Sequence, residues 1–234
     1  AELYRKIGDI EKTIEYFEKI AQFTPKDYII YYKIANNYSE QKNFLKAVPY
    51  YNKVLKINGE HVETLTELAP IYEELRHKDK AIEIYQKLVE VQPENAQAWY
   101  KIGKDYYFKE NYDNAIQCFE KALGLNFIED IYRCLGFIYF KVGNFEKAEN
   151  YFLQELKRTP DDYEIYMYLG DIYSDRDEYE DAIKYYIKVI PHKKNDPDLL
   201  FRLAKLHEKV GDFKEALSFY EKVLVLRPDD FQLW

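Results

Sequence analysis

The chain has little of what most catalytic or secreted proteins are built from. It holds 2 cysteines, 1 methionine and 2 tryptophans, with only 8 glycines and 8 prolines among 234 residues. Two cysteines, Cys118 and Cys134, make neither a disulfide framework nor a zinc site; both read as small apolar residues of the interior. So few glycines and prolines exclude long flexible linkers. No stretch of 18 apolar residues exists, so no transmembrane helix is expected, and no signal or transit pattern is visible. The first residue, Ala1, already stands in a helical pattern, which suggests a piece of a longer protein. Net charge is −8 and no lysine/arginine block occurs, so the overall balance argues against a nucleic-acid partner. There is no glycine-rich phosphate loop, no H-E-x-x-H and no nucleophile elbow. His207-Glu208 is followed by Lys209 and Val210, which breaks the zinc motif. No catalytic, metal or cofactor site is expected. The four histidines read as structural: His61 in place of a capping residue, His77 and His192 in loops, and His207 in a slot held elsewhere by tyrosine.

What the chain does have is aromatic residues, 18% of the total with 25 tyrosines, and they are periodic. Pro25 and Pro93 lie 68 positions apart, as do Pro160 and Pro228, while Pro93 and Pro160 are separated by 67. This gives a repeat of 34 residues with one deletion. The units run 1–27 (truncated), 28–61, 62–95, 96–128, 129–162, 163–196 and 197–230, with an eighth beginning at 231–234. The fourth is the clearest, with Trp99, Ile102, Gly103, Tyr106, Ala115 and Phe119. Small residues recur at Ala35, Ala69, Gly103, Gly136, Gly170 and Ala204, and again at Ala47, Ala81, Ala115, Ala148, Ala182 and Ala216. Large rings face them at Phe17, Tyr51, Tyr85, Phe119, Phe152, Tyr186 and Tyr220. Small beside large is the pattern of two helices in close, interlocking contact.

Helix punctuation agrees with the period. Asp27, Asn95, Asp162, Asp196 and Asp230 stand where a first helix begins, and Asp9, Asn43, Asn111, Asn144 and Asp212 where a second begins; each can cap free N–H groups. Gly8, Gly143 and Gly211 stand in the turn between, where a positive φ is cheap for glycine. Pro49 and Pro70 fall inside helices and are expected to kink them. At 124–129 the closing proline is absent, Phe127 stands near its place, and a changed angle between repeats is expected. Aromatic doublets such as Tyr50-Tyr51 and Tyr185-Tyr186 recur in second helices, the first ring being expected to pack between neighbouring second helices.

The spacing W-x-x-x-G-x-x-Y followed by A-x-x-x-F and a closing proline resembles the tetratricopeptide repeat. The resemblance covers nearly the whole chain. It implies an all-α fold, a right-handed superhelical α-solenoid of antiparallel helix pairs, and a single domain over 1–234. It further implies that first helices line a concave groove, with the second, fifth, ninth, twelfth and thirteenth residues of each unit facing it. Units three and six are then acidic, with Glu63, Glu73 and Glu74, and Glu164, Asp171 and Asp175. Between them lies a patch of Tyr100, Lys104, Tyr107, Phe108, Arg133, Phe137, Phe140 and Lys141. Aromatic and arginine anchors concentrate binding energy at interfaces, so these eight are the candidate peptide-binding residues. The expected partner is a protein segment, extended or helical, with apolar or aromatic side chains and some acidic character. A subset of the family holds chaperone C-terminal carboxylates through a lysine/asparagine/arginine clamp. Here Asn36 fits one clamp position, but Tyr32, Glu67, Gln97 and Lys101 replace its neighbours, so no standard clamp is expected. The alternatives are self-assembly through apolar end faces, a targeting module of a larger enzyme, and an RNA-reading helical repeat, which the acidic balance disfavours.

Overall fold

The computed structural model describes residues 1–127 and 129–228. They form helices and turns, with no strand among the described residues. Two compact units result, 1–128 and 129–234, and each is taken in turn.

The first unit holds α1 (Glu2–Lys6), α2 (Ile10–Phe23), α3 (Tyr28–Glu40), α4 (Phe44–Ile57), α5 (Val62–Glu74), α6 (Lys78–Val91), α7 (Ala96–Phe108) and α8 (Tyr112–Gly124). The second holds α9 (Ile131–Lys141), α10 (Phe145–Leu156), α11 (Tyr163–Asp175), α12 (Tyr179–Val189), α13 (Pro197–Lys209) and α14 (Phe213–Leu226). Within each unit consecutive helices pack on one another, first as the pair of a repeat and then onto the next pair. This is the solenoid arrangement, one helix pair per repeat. The proposed eighth repeat with Trp234, the Asp230 cap and the junction residue Ile128 lie outside the described residues.

The small–large rule is visible at atomic scale. A Cβ on Gly103 would fall 2.8 Å from Phe119, one on Gly136 2.5 Å from Phe152, and one on Gly170 2.6 Å from Tyr186. Ala47, Ala115, Ala148 and Ala182 are fully buried at the matching places on the second helices. The turn between the two helices of a repeat imposes a left-handed residue whatever the sequence supplies. Gly8, Gly143 and Gly211 have φ of +81°, +78° and +82°, while Lys42, Arg76, Glu110 and Asp177 adopt 57–60° in the same slot.

Capping follows the expectation in part. Asp27, Asn95, Asp162 and Asp196 each accept a backbone N–H of the first helix, and Asp9, Asn111 and Asn144 do so for the second. Asn43 and Asp212 make no such bond. His61 is itself a cap: its Nδ1 accepts the Thr64 N–H at 3.3 Å. Pro49 and Pro70 sit inside helices that continue on both sides of them.

The first ring of each aromatic doublet has a partner within its own repeat, and Tyr50 also reaches the neighbouring second helix, its hydroxyl donating to Glu18 of α2 at 2.6 Å. Each first ring stacks on the ring near the end of its own repeat's first helix: Tyr4 on Tyr16, Tyr38 on Tyr50, Tyr139 on Tyr151, Tyr173 on Tyr185 and His207 on Phe219, with centroids 5.2–5.9 Å apart. The two slots face each other across the helix pair, and near-parallel stacking satisfies both π-faces. Trp99 and Tyr166 at the repeat start have a further reason to be polar-tipped. The Trp99 indole donates to the Pro93 carbonyl at 2.8 Å and the Tyr166 hydroxyl to the Pro160 carbonyl at 2.6 Å, so ring and closing proline form one latch.

Candidate functional site

In the first unit the candidate residues lie on α7, and their environments differ. Tyr100 is buried, 5.2 Å from the Phe127 ring and 6.2 Å from Phe119. It is part of the packing of its repeat and seats Phe127 where other repeats carry proline. Lys104 is half-buried, with its ammonium 5.8 Å from the Tyr100 ring and 5.6 Å from Phe108. Tyr107 is half-buried and meets Phe108 edge-on at 5.5 Å. Phe108, the last residue of α7, is 63% exposed.

Sequence reasoning missed Lys78. It opens α6, a second helix, and so falls outside the five first-helix positions the resemblance supplied. Its ammonium lies 5.0 Å from the Phe108 ring and 3.7 Å from Oδ1 of buried Asp105. Lys109 holds the other carboxylate oxygen at 2.8 Å.

In the second unit Arg133 is paired with Asp162 at 2.7 Å and also with Glu164, and its guanidinium lies 5.3 Å from the Phe137 ring. Phe137 and Phe140 each meet Tyr168 at 4.9 Å, with Phe152 and Phe145 on their other sides. Both are half-buried in an aromatic cluster joining α9, α10 and α11. Tyr168 is the member that the repeat pattern does not flag, because its slot holds unrelated residues elsewhere. Lys141 is exposed at the end of α9.

Some carboxylates of the first helices have a structural role. Three of the four large second-helix tyrosines donate their hydroxyl to a first-helix carboxylate. Tyr51 donates to Glu67 at 2.5 Å, Tyr186 to Asp171 at 2.5 Å and Tyr220 to Glu208 at 2.9 Å. Tyr32 takes the other oxygen of Glu67 at 2.8 Å. Burial, and then the neighbouring carboxylate, push these phenols upward, Tyr220 to about 12 and Tyr51 and Tyr186 further. In the fourth and fifth repeats the ring is Phe119 or Phe152, with no hydroxyl to satisfy, and it meets Tyr100 or Phe137. The clamp positions are likewise engaged within the chain: Lys101 binds Glu73 at 2.9 Å, and Tyr32 binds Glu67.

Among the described residues no group of three or more His, Cys, Asp or Glu side chains is arranged to hold a metal ion. No described helix is long and apolar enough to cross a membrane. Cys118 and Cys134 are both buried, and burial raises the Cys118 thiol to about 11.

Comparison with known proteins gives a consistent picture. Four models described as tetratricopeptide repeat match residues 38–104, 96–126, 135–198 and 197–230. No curated protein sequence matches at a significant level. Solved structures share the fold. YrrB, described as a TPR protein with an unusual peptide-binding site, is 22% identical with a TM-score of 0.64, covering 78% of this chain and 95% of its own. The C-terminal part of a TPR repeat-containing protein from Cytophaga hutchinsonii is 21% identical with a TM-score of 0.59, covering 99% and 96%. PilF of Pseudomonas aeruginosa is 19% identical with a TM-score of 0.56, covering 88% and 94%.

Proposed function

The chain belongs to the tetratricopeptide repeat family, and from that premise we propose that it is a non-catalytic scaffold that binds a peptide or helix of a partner protein on its first-helix face, in the assembly of a larger complex. The observation that carries the reading is Phe108. Trp99, Tyr100, Tyr106 and Phe119 of the fourth repeat have packing roles, yet Phe108 is 63% exposed at a position the family resemblance assigns to the groove. Lys104 and Tyr107 border it on the same helix, and Tyr100 supports them from below. In the second unit, taken by itself, Arg133, Phe137, Phe140 and Lys141 are the proposed binding residues, with Phe137 and Phe140 more committed to packing. An anchor ring of this kind is worth about 2 kcal/mol or more when truncated.

The test is selection of a random peptide library displayed on phage against the immobilised chain. Enriched peptides are then measured by fluorescence anisotropy on wild type and on Tyr107→Ala/Phe108→Ser. Binding weakened tenfold or more, with unchanged circular dichroism, supports the reading. No enrichment, or equal binding by the variant, refutes it. A second reading, self-association, has one observation behind it: α14 presents Phe213 and Leu217, 69% and 60% exposed. Sedimentation velocity decides it, a monomer at 100 µM-scale concentration (roughly the range of weak specific contacts) counting against it.

A further inference from the structure

The latch between a closing proline and the ring that opens the next repeat is complete in two places. Trp99 and Tyr166 donate to the carbonyls of Pro93 and Pro160. A lysine of the second helix covers each ring, Lys121 over Trp99 at 4.0 Å and Lys188 over Tyr166 at 4.7 Å. The second repeat has the same parts at the same spacing: Pro25, Tyr31 and Lys53, whose ammonium is 5.1 Å from the Tyr31 ring. Yet Tyr31 makes no bond to Pro25, and among the described residues no donor reaches the Pro25 carbonyl.

A side chain is also missing beside this ring. At the twenty-eighth position of the repeat stand Leu55, Val89, Leu123, Leu156, Ile190 and Leu224, but the first repeat has Ala21. Interiors are otherwise close-packed, so a shorter side chain leaves room. Tyr31 is 8% exposed, in a cluster with Ala21 and Phe17. Beside it a cleft of about 460 Å³ opens between α2, α3 and α4, lined by Ala21, Gln22, Pro25 and the rings of Tyr31 and Tyr50.

The cleft carries one charge of each sign. Glu18 accepts the Tyr50 hydroxyl at 2.6 Å, and the Lys53 ammonium lies 5.1 and 5.2 Å from the Tyr31 and Tyr50 rings. A cationic ligand would meet Lys53 and an anionic one Glu18, so a neutral ligand suits it. A ring face attracts a cation, and a ring N–H or O–H would supply the donor that the Pro25 carbonyl lacks. Concave sites with aromatic walls and a few placed polar groups are the usual form of a binding pocket.

We propose that this cleft binds a tryptophan or tyrosine side chain of a partner protein, its N–H or O–H donating to the Pro25 carbonyl and its ring lying against Lys53. The guest makes there the contacts that Trp99 and Tyr166 make within the chain. Both residue types join a large apolar body to a polar tip that requires a partner, and both concentrate energy at interfaces. The site shares no residue with the proposed groove surface, so it stands whether or not Phe108 holds a peptide.

Titration of the isotope-labelled chain with N-acetyl-tryptophanamide, followed by NMR, tests it. Saturable shifts in the millimolar range are expected at the amides of Ala21, Gln22, Lys26 and Lys53. N-acetyl-phenylalaninamide has a ring without a donor and should bind several-fold more weakly. Ala21→Leu restores the side chain of the other repeats and should weaken the tryptophan probe tenfold or more with unchanged circular dichroism. If that variant alters the dichroism, Lys53→Ala, which changes only an exposed side chain, decides instead and should weaken the probe several-fold. No saturable shift, shifts centred elsewhere, equal binding of the phenylalanine probe, or undiminished binding by the deciding variant overturns the proposal. Tighter binding of N-acetyl-argininamide would assign a cationic ligand, and tighter binding of free indole a small molecule; either overturns it as well.

Discussion

Replacing Gly170 by alanine sets two effects of opposite sign against each other. Gly170 is inside α11, where alanine alone would favour the helix by about 1 kcal/mol. Its new methyl, however, would sit 2.6, 2.7 and 2.8 Å from Cε1, Cδ1 and Cζ of Tyr186. That ring cannot tilt away cheaply. It is 1% exposed, its hydroxyl donates to Asp171 at 2.5 Å, and Arg202 lies 3.3 Å from the same oxygen. Overpacking a tight site costs about 1–3 kcal/mol, and an anchored ring places Gly170 at the upper end. The net expectation is a loss of about 1–2 kcal/mol, or about 3–6 °C in melting temperature for a chain of this size. Gly124, at the end of α8, is the control, since nothing lies within 4 Å of its added Cβ; Gly124→Ala should stabilise by up to about 1 kcal/mol. Urea denaturation followed by circular dichroism measures both. Hydrogen exchange across α11 and α12 is measured alongside, because repeats can open unequally. In an Arg202→Ala background the Gly170→Ala penalty should shrink, since the ring is freer to move. A Gly170→Ala chain that melts higher than wild type would refute the close-approach argument.

Two further expectations come from buried polar groups. Burial raises Tyr51, Tyr85 and Tyr186 above the ordinary phenol value of 10.0, so the folded chain keeps protons that the unfolded chain releases. Their contribution is fully present below pH 10 and is lost as pH rises toward the folded values. Melting temperature should therefore hold to about pH 9.5 and fall beyond 10, less steeply in Tyr51→Phe/Tyr186→Phe; absorbance at 295 nm showing every tyrosine titrating near 10 in the folded chain would contradict this. At the slot of Asp105 four other repeats carry Ile71, Ile138, Ile172 and Leu206, all buried, and the second repeat carries buried Asn37. Asp105→Leu should leave the denaturation midpoint unchanged or raise stability by about 1 kcal/mol, because a buried carboxylate gains little over an apolar residue of similar size; a loss above about 2 kcal/mol would show the ion pairs to be essential.

The repeat was legible because its signals are local and recur. Gly103, Gly136 and Gly170 opposite Phe119, Phe152 and Tyr186, with a capping residue before most helices, specify a helix pair from residues within 20 positions or so of one another (about five helical turns). The non-glycine turn residues Lys42, Arg76, Glu110 and Asp177 show how strongly the pair dictates its own turn. What the period could not supply was which way each extra ring turns. Tyr100 and Phe108 are both aromatic and both at positions the resemblance assigns to the groove, yet one is buried beside Phe127 and the other is exposed. That difference depends on neighbours from other elements: the Phe127 ring that replaces a proline, and Lys78 from the preceding repeat. Phe137 and Phe140 were likewise drawn inward by Tyr168, a residue of the next repeat. The sequence by itself determined the helix pairs, their order and their small–large contacts, because these are short-range and repeated. Only the tertiary structure decided which side chains remain at the surface, because exposure is set by what the adjoining repeat brings alongside.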